Sequence, residues 1–439
     1  MRHTCLALAL LAASCALVIA DANENDLPIL STIKVDVTIA GYRLGTNAIG
    51  QSRIDLDVGN MSAAASLTAA TNVYRNGGSS MFMGELETLQ GLSADTGTGD
   101  TFPTLSKYIT YYNNDQLYAD TFVSAALEGT GSYAASSAAY RQAVAVAGAT
   151  YLTMWMQPQH ELNDQLNICL QGGNFNTPED VSCWDEAWAY MAGSLVGPDG
   201  TGAGQLLYSL SAKMSAEFAT ASPTTTTANQ KLLALWSAGQ TAARMLDCVT
   251  MALNRDAIAV QMTLPLVQGV LSFAYKADPK ILCHACTTPE RSFESANLWA
   301  LVSAVLPQVQ ACDASVAALL VSNTSPDQFN AGNMLPAGVA AITKALQSTY
   351  SCLGLTCAAV GGNSNVPACV DASTAPPSSS CSQPTNVAAI VLGVLLGLTF
   401  LILLLVSVTK FRQTIKHHDA ANGYVGDDLA KPKHDVSLA

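Results

Sequence analysis

Between Thr177 and Gly197 the chain reads TPEDVSCWDEAWAYMAGSLVG, and its apolar and polar positions repeat at the helical period. Trp184 and Trp188 fall one turn apart on one stripe, while Glu186 and Tyr190 fall one turn apart on another, beside Asp185. The boundaries are legible too. Thr177-Pro178-Glu179-Asp180 supplies a capping hydroxyl, a proline that needs no donor, and acids for the positive end of the helix dipole. Gly197-Pro198 supplies a stop. The pattern predicts one helix with an aromatic face and an oxygen-donor face.

Helical spacing continues along most of the chain. Residues 61–74, 82–92, 205–218, 229–255 and 288–307 each read as a helix, residues 133–170 as two, and residues 31–40 alternate as a short strand. Residues 257–276 are almost wholly apolar, yet Pro265 and Gln268 suit lipid poorly, so a buried helix is expected there. Residues 387–408 are 22 positions without a charge, enough for about 33 Å of helix against a bilayer core of about 30 Å. Lys410, Arg412 and Lys416 follow at once, which sets the tail in the cytosol and the long N-terminal part outside. The start, basic at Arg2 and His3 and apolar from Cys5 to Ile19, reads as a secretory signal peptide.

The expected fold is mainly α, a two-lobed helical ectodomain stapled by disulfides and followed by a single transmembrane helix. Residues 1–20 are the signal, 21–230 and 231–370 two helical lobes, 371–386 a Pro/Ser-rich stalk, 387–408 the membrane helix and 409–439 a cytosolic tail. That is a single-pass type I protein of the plasma membrane with an extracellular ectodomain.

Charge narrows the partner. The chain carries 33 acids against 20 bases, and 29 acids against 14 bases remain once signal and tail are set aside. So acidic a surface disfavours nucleic acid and suits a cation. Ten cysteines remain after Cys5 and Cys15 leave with the signal, an even number that points to disulfides in an oxidising compartment, although sequence alone does not give their pairing. Asn60-Met61-Ser62 and Asn323-Thr324-Ser325 are glycosylation sequons expected on exposed loops.

Carboxylates and phenols are hard oxygen donors, the type that ferric iron prefers. Tyr112 and Asp115 lie in a tyrosine-dense stretch and share a helical side. The second helix of 133–170 ends just after Cys169 and carries Glu161 and Asp164. A Cys169–Cys183 bond would make it an antiparallel neighbour of the helix holding Asp185, Glu186 and Tyr190. Asp164 would then lie about 7.5 Å before the clamp, and Glu186 and Tyr190 about 4.5 and 10.5 Å beyond it, level across the hairpin. The candidate ligand set is Asp164, Asp185, Glu186 and Tyr190, with Tyr112 and Asp115, and with Glu161 in support. The same clamp would staple any secreted helical hairpin. No HExxH, GxSxG or P-loop occurs, so binding without catalysis is expected. A surface adhesion or coat protein and an imelysin-like surface enzyme are the alternatives.

Four segments carry a family resemblance: WDEAWAYMAGSLVG at 184–197, AIAVQMTLPLVQGVLSFAYK at 257–276, SAVLPQVQACD at 303–313 and YSCLGLTCAAVGG at 350–362. In this order they resemble the algal low-iron-inducible iron-assimilation proteins, whose membrane-anchored members are called phytotransferrins. The resemblance implies capture of Fe3+ at the cell surface with carbonate as a synergistic anion, followed by internalisation through endocytic machinery and reduction by a ferric reductase. Carbonate needs a cationic or N–H lined seat, and Arg141 or the helix start at Pro178 are the candidates. One position departs from the family pattern: Asn297 stands where a glutamate is usual, which favours a site in the first lobe, with Glu294 one turn earlier as a substitute.

Overall fold

The computed structural model describes residues 37–82, 84–95, 102–172, 181–221, 227–281, 288–366 and 369. The predicted signal peptide, stalk, membrane helix and tail lie outside the described residues, as do the candidate helix start at 177–180 and most of the Thr-rich hinge at 222–227. What is described is mainly α, with two short antiparallel ribbons, Thr38–Ile39 with Tyr42–Arg43 and Ser80–Phe82 with Glu85–Glu87.

The largest helices form the centre. Cys248–Ala277 packs against Thr227–Arg244, Leu207–Glu217 and Thr288–Cys312, and Thr288–Cys312 packs in turn against Ala138–Gly148. From Met262 to Ala274 every residue of the Cys248–Ala277 helix is buried. It is long and apolar enough to cross a membrane, but it is a core helix, as its proline and glutamine foretold. Trp184 and Trp236, one from each side of residue 230, are fully buried in the same cluster.

Local departures from the sequence pattern have physical causes. The Thr288–Cys312 helix continues through Pro307, where a stop was expected. Pro307 has no N–H for the carbonyl of Ser303. The Tyr112 hydroxyl supplies that donor at 2.8 Å, and the Tyr108 hydroxyl bonds the next carbonyl, of Ala304. The expected 61–74 helix is two, Ile54–Ser62 and Leu67–Asn76, the second capped by Ser66. Residues 82–92 are not one helix: they hold the rest of the second ribbon and the start of the Leu89–Asp95 helix, with Gly84 turning at φ +85. The long 229–255 segment breaks at Met245 to Asp247, where Asp247 caps the next helix.

The described disulfides join Cys169 to Cys248, Cys312 to Cys352 and Cys357 to Cys369. The hypothetical Cys169–Cys183 clamp is therefore corrected: Cys169 faces the start of the Cys248–Ala277 helix, and Cys183 points into the core. The expected exposure of both sequons holds only for Asn60. Asn323 is 2 % exposed, and its side chain is spent on the Leu319 carbonyl and the Ala337 N–H.

Candidate metal centre

Two antiparallel neighbours, Met154–Leu170 and Ser182–Ala192, build the centre. Pro158 lies inside the first, and the backbone ahead of it, Ala149–Thr153, is wound as a single π turn, a common device at functional positions. The second helix is buried on every side from Cys183 to Ala192, the mark of a core helix rather than of an amphipathic one. It ends at Gly193, four residues before the expected Gly197. Gly193 has φ +78, and a Cβ there would stand 2.5 Å from an Asp55 carboxylate oxygen. Asp55 in turn takes the Ser194 hydroxyl and the Leu195 N–H, so the chain leaves the helix there.

Cys183, Glu186 and Tyr190 occupy one stripe of this helix at spacings of three and four. Opposite them stands Glu161. Ligand atoms of Glu161, Cys183 and Glu186 all lie within 4.8 Å of one another. Donors about 2.0–2.3 Å from a common ion stand up to about 4.6 Å apart, so small rotations suffice to close on one cation. Gln157 donates to Glu161 at 3.0 Å, and its own carbonyl oxygen is buried with no hydrogen-bond partner. The Tyr190 hydroxyl donates to Glu87 at 2.6 Å. Burial pushes the Tyr190 phenol well above its ordinary pKa, and the negative charges of Glu87, Glu161 and Glu186 push it further.

The other candidates do different work. Asp185 lies on the same helix but faces away: its Oδ1 accepts from Tyr42 and Gln240, and its Oδ2 from the N–H groups of Gly45 and Thr46 and from the Thr46 hydroxyl. Such a fully engaged carboxylate is an anchor for the N-terminal segment. Asp164 is one-third exposed and stands 3.5 Å from His160; with the register set by Gln165 on the Trp184 N–H, it is Glu161 that faces Glu186. Tyr112 is spent on the Ser303 carbonyl and stacks on Tyr118 at 5.1 Å. Asp115 caps the Leu117 N–H in a turn. Arg141 bonds the carbonyls of Ala126 and Leu127, closing the end of the Tyr118–Glu128 helix. Asn297 is buried and bonds Tyr151 and the Phe293 carbonyl.

The structure brings Glu161, expected only in support, to Glu186 in place of Asp164, and it adds Cys183 and, through Tyr190, Glu87, which are not among the expected ligands. The even cysteine count favours a disulfide for Cys183, although its spacing to Glu186 and Tyr190 places it on their stripe. Glu87 falls inside the helix expected at 82–92; Gly84 beside the alternation of Glu85, Leu86 and Glu87 is the signal of a ribbon.

Neither a curated protein nor a solved structure matches the chain. A family model described as low iron-inducible periplasmic protein matches residues 7–388, which spans both helices of the centre and the ribbon that carries Glu87. The chain therefore belongs to the Fea1 family, the low iron-inducible periplasmic proteins.

Proposed function

We propose that the protein captures ferric iron outside the cell, with oxygens of Glu161, Glu186 and Tyr190 as the grip and without catalysing a reaction. The observation that carries this is the convergence of Glu161, Cys183 and Glu186 within 4.8 Å, with Tyr190 one turn further along the same stripe. Membership of a low iron-inducible family supports a role in iron assimilation. Clustered carboxylates and a phenol suit a hard, highly charged ion. A cation also offsets the mutual repulsion of the half-buried Glu161 and the buried Glu186.

Carbonate as a second ligand, anchoring by the 387–408 helix as a type I plasma-membrane protein, and delivery to endocytic machinery or a ferric reductase belong to the same proposal. They are supported by the phytotransferrin resemblance and by the apolar 387–408 run. Arg141, engaged at a helix end, is no longer the seat proposed for carbonate. Acid releases the ion, because protons compete for the carboxylates and for carbonate.

The test is ferric titration of the purified full chain with and without bicarbonate, read by visible absorption from a phenolate–iron charge-transfer band. Uptake that is lost in Glu186→Gln supports the proposal; no uptake in either buffer rejects it. The thiol of Cys183 favours one other reading, capture of ferrous iron, for which anaerobic ferrous titration tighter than the ferric one is the signature.

A further inference from the structure

Glu87 reaches the centre from a separate element. It ends the Glu85–Glu87 strand, directly opposite Ser80 in the ribbon. The ribbon has no slack against the Ile49–Ser52 helix, since a Cβ on Gly50 would stand 2.2 Å from the Met81 carbonyl oxygen. The Ser80 hydroxyl, fully buried, donates to Glu87 Oε2 at 2.8 Å, and the Tyr190 hydroxyl donates to Oε1 at 2.6 Å. One carboxylate oxygen is thus fixed against the scaffold and the other against the phenol that faces Glu161 and Glu186. A second observation marks a ligand at this place. Gln157, 2 % exposed, gives its N–H to Glu161 while its carbonyl oxygen is buried without a hydrogen-bond partner. A buried acceptor left open beside carboxylates matches a donor on a bound, partly hydrated ion.

We propose that Glu87 is a further donor of the metal centre and that its charge sets the preference for trivalent over divalent ions. This rests on the reading of Glu161, Glu186 and Tyr190 as a metal site. The physical reason is the dependence of Coulomb energy on ion charge: at equal distance, deleting one negative charge costs a trivalent ion half as much again as a divalent one. A loss of about a hundredfold in trivalent affinity then accompanies a loss of about twentyfold in divalent affinity, and their ratio falls about fivefold. Tyr190 bonded to a glutamine in place of Glu87 keeps its shape but not this bias.

The experiment measures dissociation constants of Ga3+ and Mn2+, two hard ions that undergo no redox change under the conditions used, on the purified full chain, on Glu87→Gln and on Glu87→Asp. The expected result is a ratio of trivalent to divalent affinity that falls about fivefold in Glu87→Gln and holds in Glu87→Asp, which keeps the charge. Equal losses for both ions in Glu87→Gln, or no loss, overturn the proposal while leaving the metal centre standing. If the unaltered chain binds neither ion, the metal centre itself is wrong and this assignment falls with it. Glu87→Ala serves the same comparison where the glutamine variant does not fold.

Discussion

Trp184 and Trp236 bond each other reciprocally. The Trp184 indole N–H donates to the Trp236 carbonyl at 2.9 Å, and the Trp236 indole N–H donates to the Trp184 carbonyl at 3.3 Å. Both rings are fully buried, so each satisfies the polar handle that makes a buried tryptophan costly. The exchange fixes the Ser182–Ala192 helix against the Thr227–Arg244 helix, one residue from Cys183.

Gly239 is the point where this lock is most fragile. A Cβ there would stand 1.9 Å from the Trp184 ring, and rigid ring atoms cannot retreat cheaply. Gly239→Ala is expected to destabilise by about 1–3 kcal/mol, the usual range for overpacking. Thermal unfolding measures it, and a midpoint equal to that of the parent would show that the ring has room to move.

Asp185→Asn separates anchoring from metal binding. The carboxylate is fully buried and accepts from five donors on Tyr42, Gly45, Thr46 and Gln240. An amide places two N–H groups against those donors, so the variant is expected to lose about 2–4 kcal/mol of stability. Ferric stoichiometry at a temperature where the variant is folded should not change. A lost equivalent of iron would return Asp185 to the ligand set.

How far the sequence reaches is visible in this same helix. The stripe of Glu186 and Tyr190 follows from a period of 3.6, and so does its separation from Trp184 and Trp188. The roles of the acids do not, because Asp185 and Glu186 are both buried acids on adjacent faces of one helix, and what folds over each face comes from distant parts of the chain. Periodicity shows which residues share a face; it does not show that Tyr42 and Gln240, 143 and 55 residues away, cover one acid and not the other. The cysteine pairing was out of reach for a like reason: Cys169 has two partners at compatible helix ends, and only the packing of the Cys248–Ala277 helix selects Cys248.

Iron binding by Tyr190 should release a proton. Burial first, and then the charges of Glu87, Glu161 and Glu186, hold this phenol well above its ordinary pKa, so it is neutral at physiological pH until an ion displaces the proton. Ferric loading in weakly buffered solution should acidify the medium. Tyr190→Phe should release one proton fewer per iron and lose the visible charge-transfer band. An unchanged band in the variant would assign the phenolate to another tyrosine.

Acid sensitivity of the helix starts has a defined sign. The Ser315 hydroxyl and the N–H groups of Ser315 and Val316 hold the Asp313 carboxyl below its ordinary value of 3.8. A group whose folded-state pKa is depressed stabilises above the unfolded value, and that contribution is lost as pH falls through the folded value. Amide exchange at Ser315 and Val316, corrected for intrinsic rates, should therefore quicken below about pH 4 in the parent. In Asp313→Asn it should show no such pH dependence. Asp55 behaves oppositely: burial raises its carboxyl, so its protonation does not drive acid unfolding.

The Cys169–Cys248 bond ties the end of one centre helix to the start of the long core helix across 79 residues of chain. Closing a loop of this length removes unfolded-state entropy worth about 4.5 kcal/mol at room temperature in the chain-entropy account. The double variant Cys169→Ser/Cys248→Ser should lower stability by that order in denaturant titration. The bond also sits two turns beyond Glu161 on the same helix, about 12 Å along it, so ferric affinity should fall less than stability does. A variant of near-parental stability that no longer binds iron would reverse this assignment and make the disulfide a part of the centre's geometry.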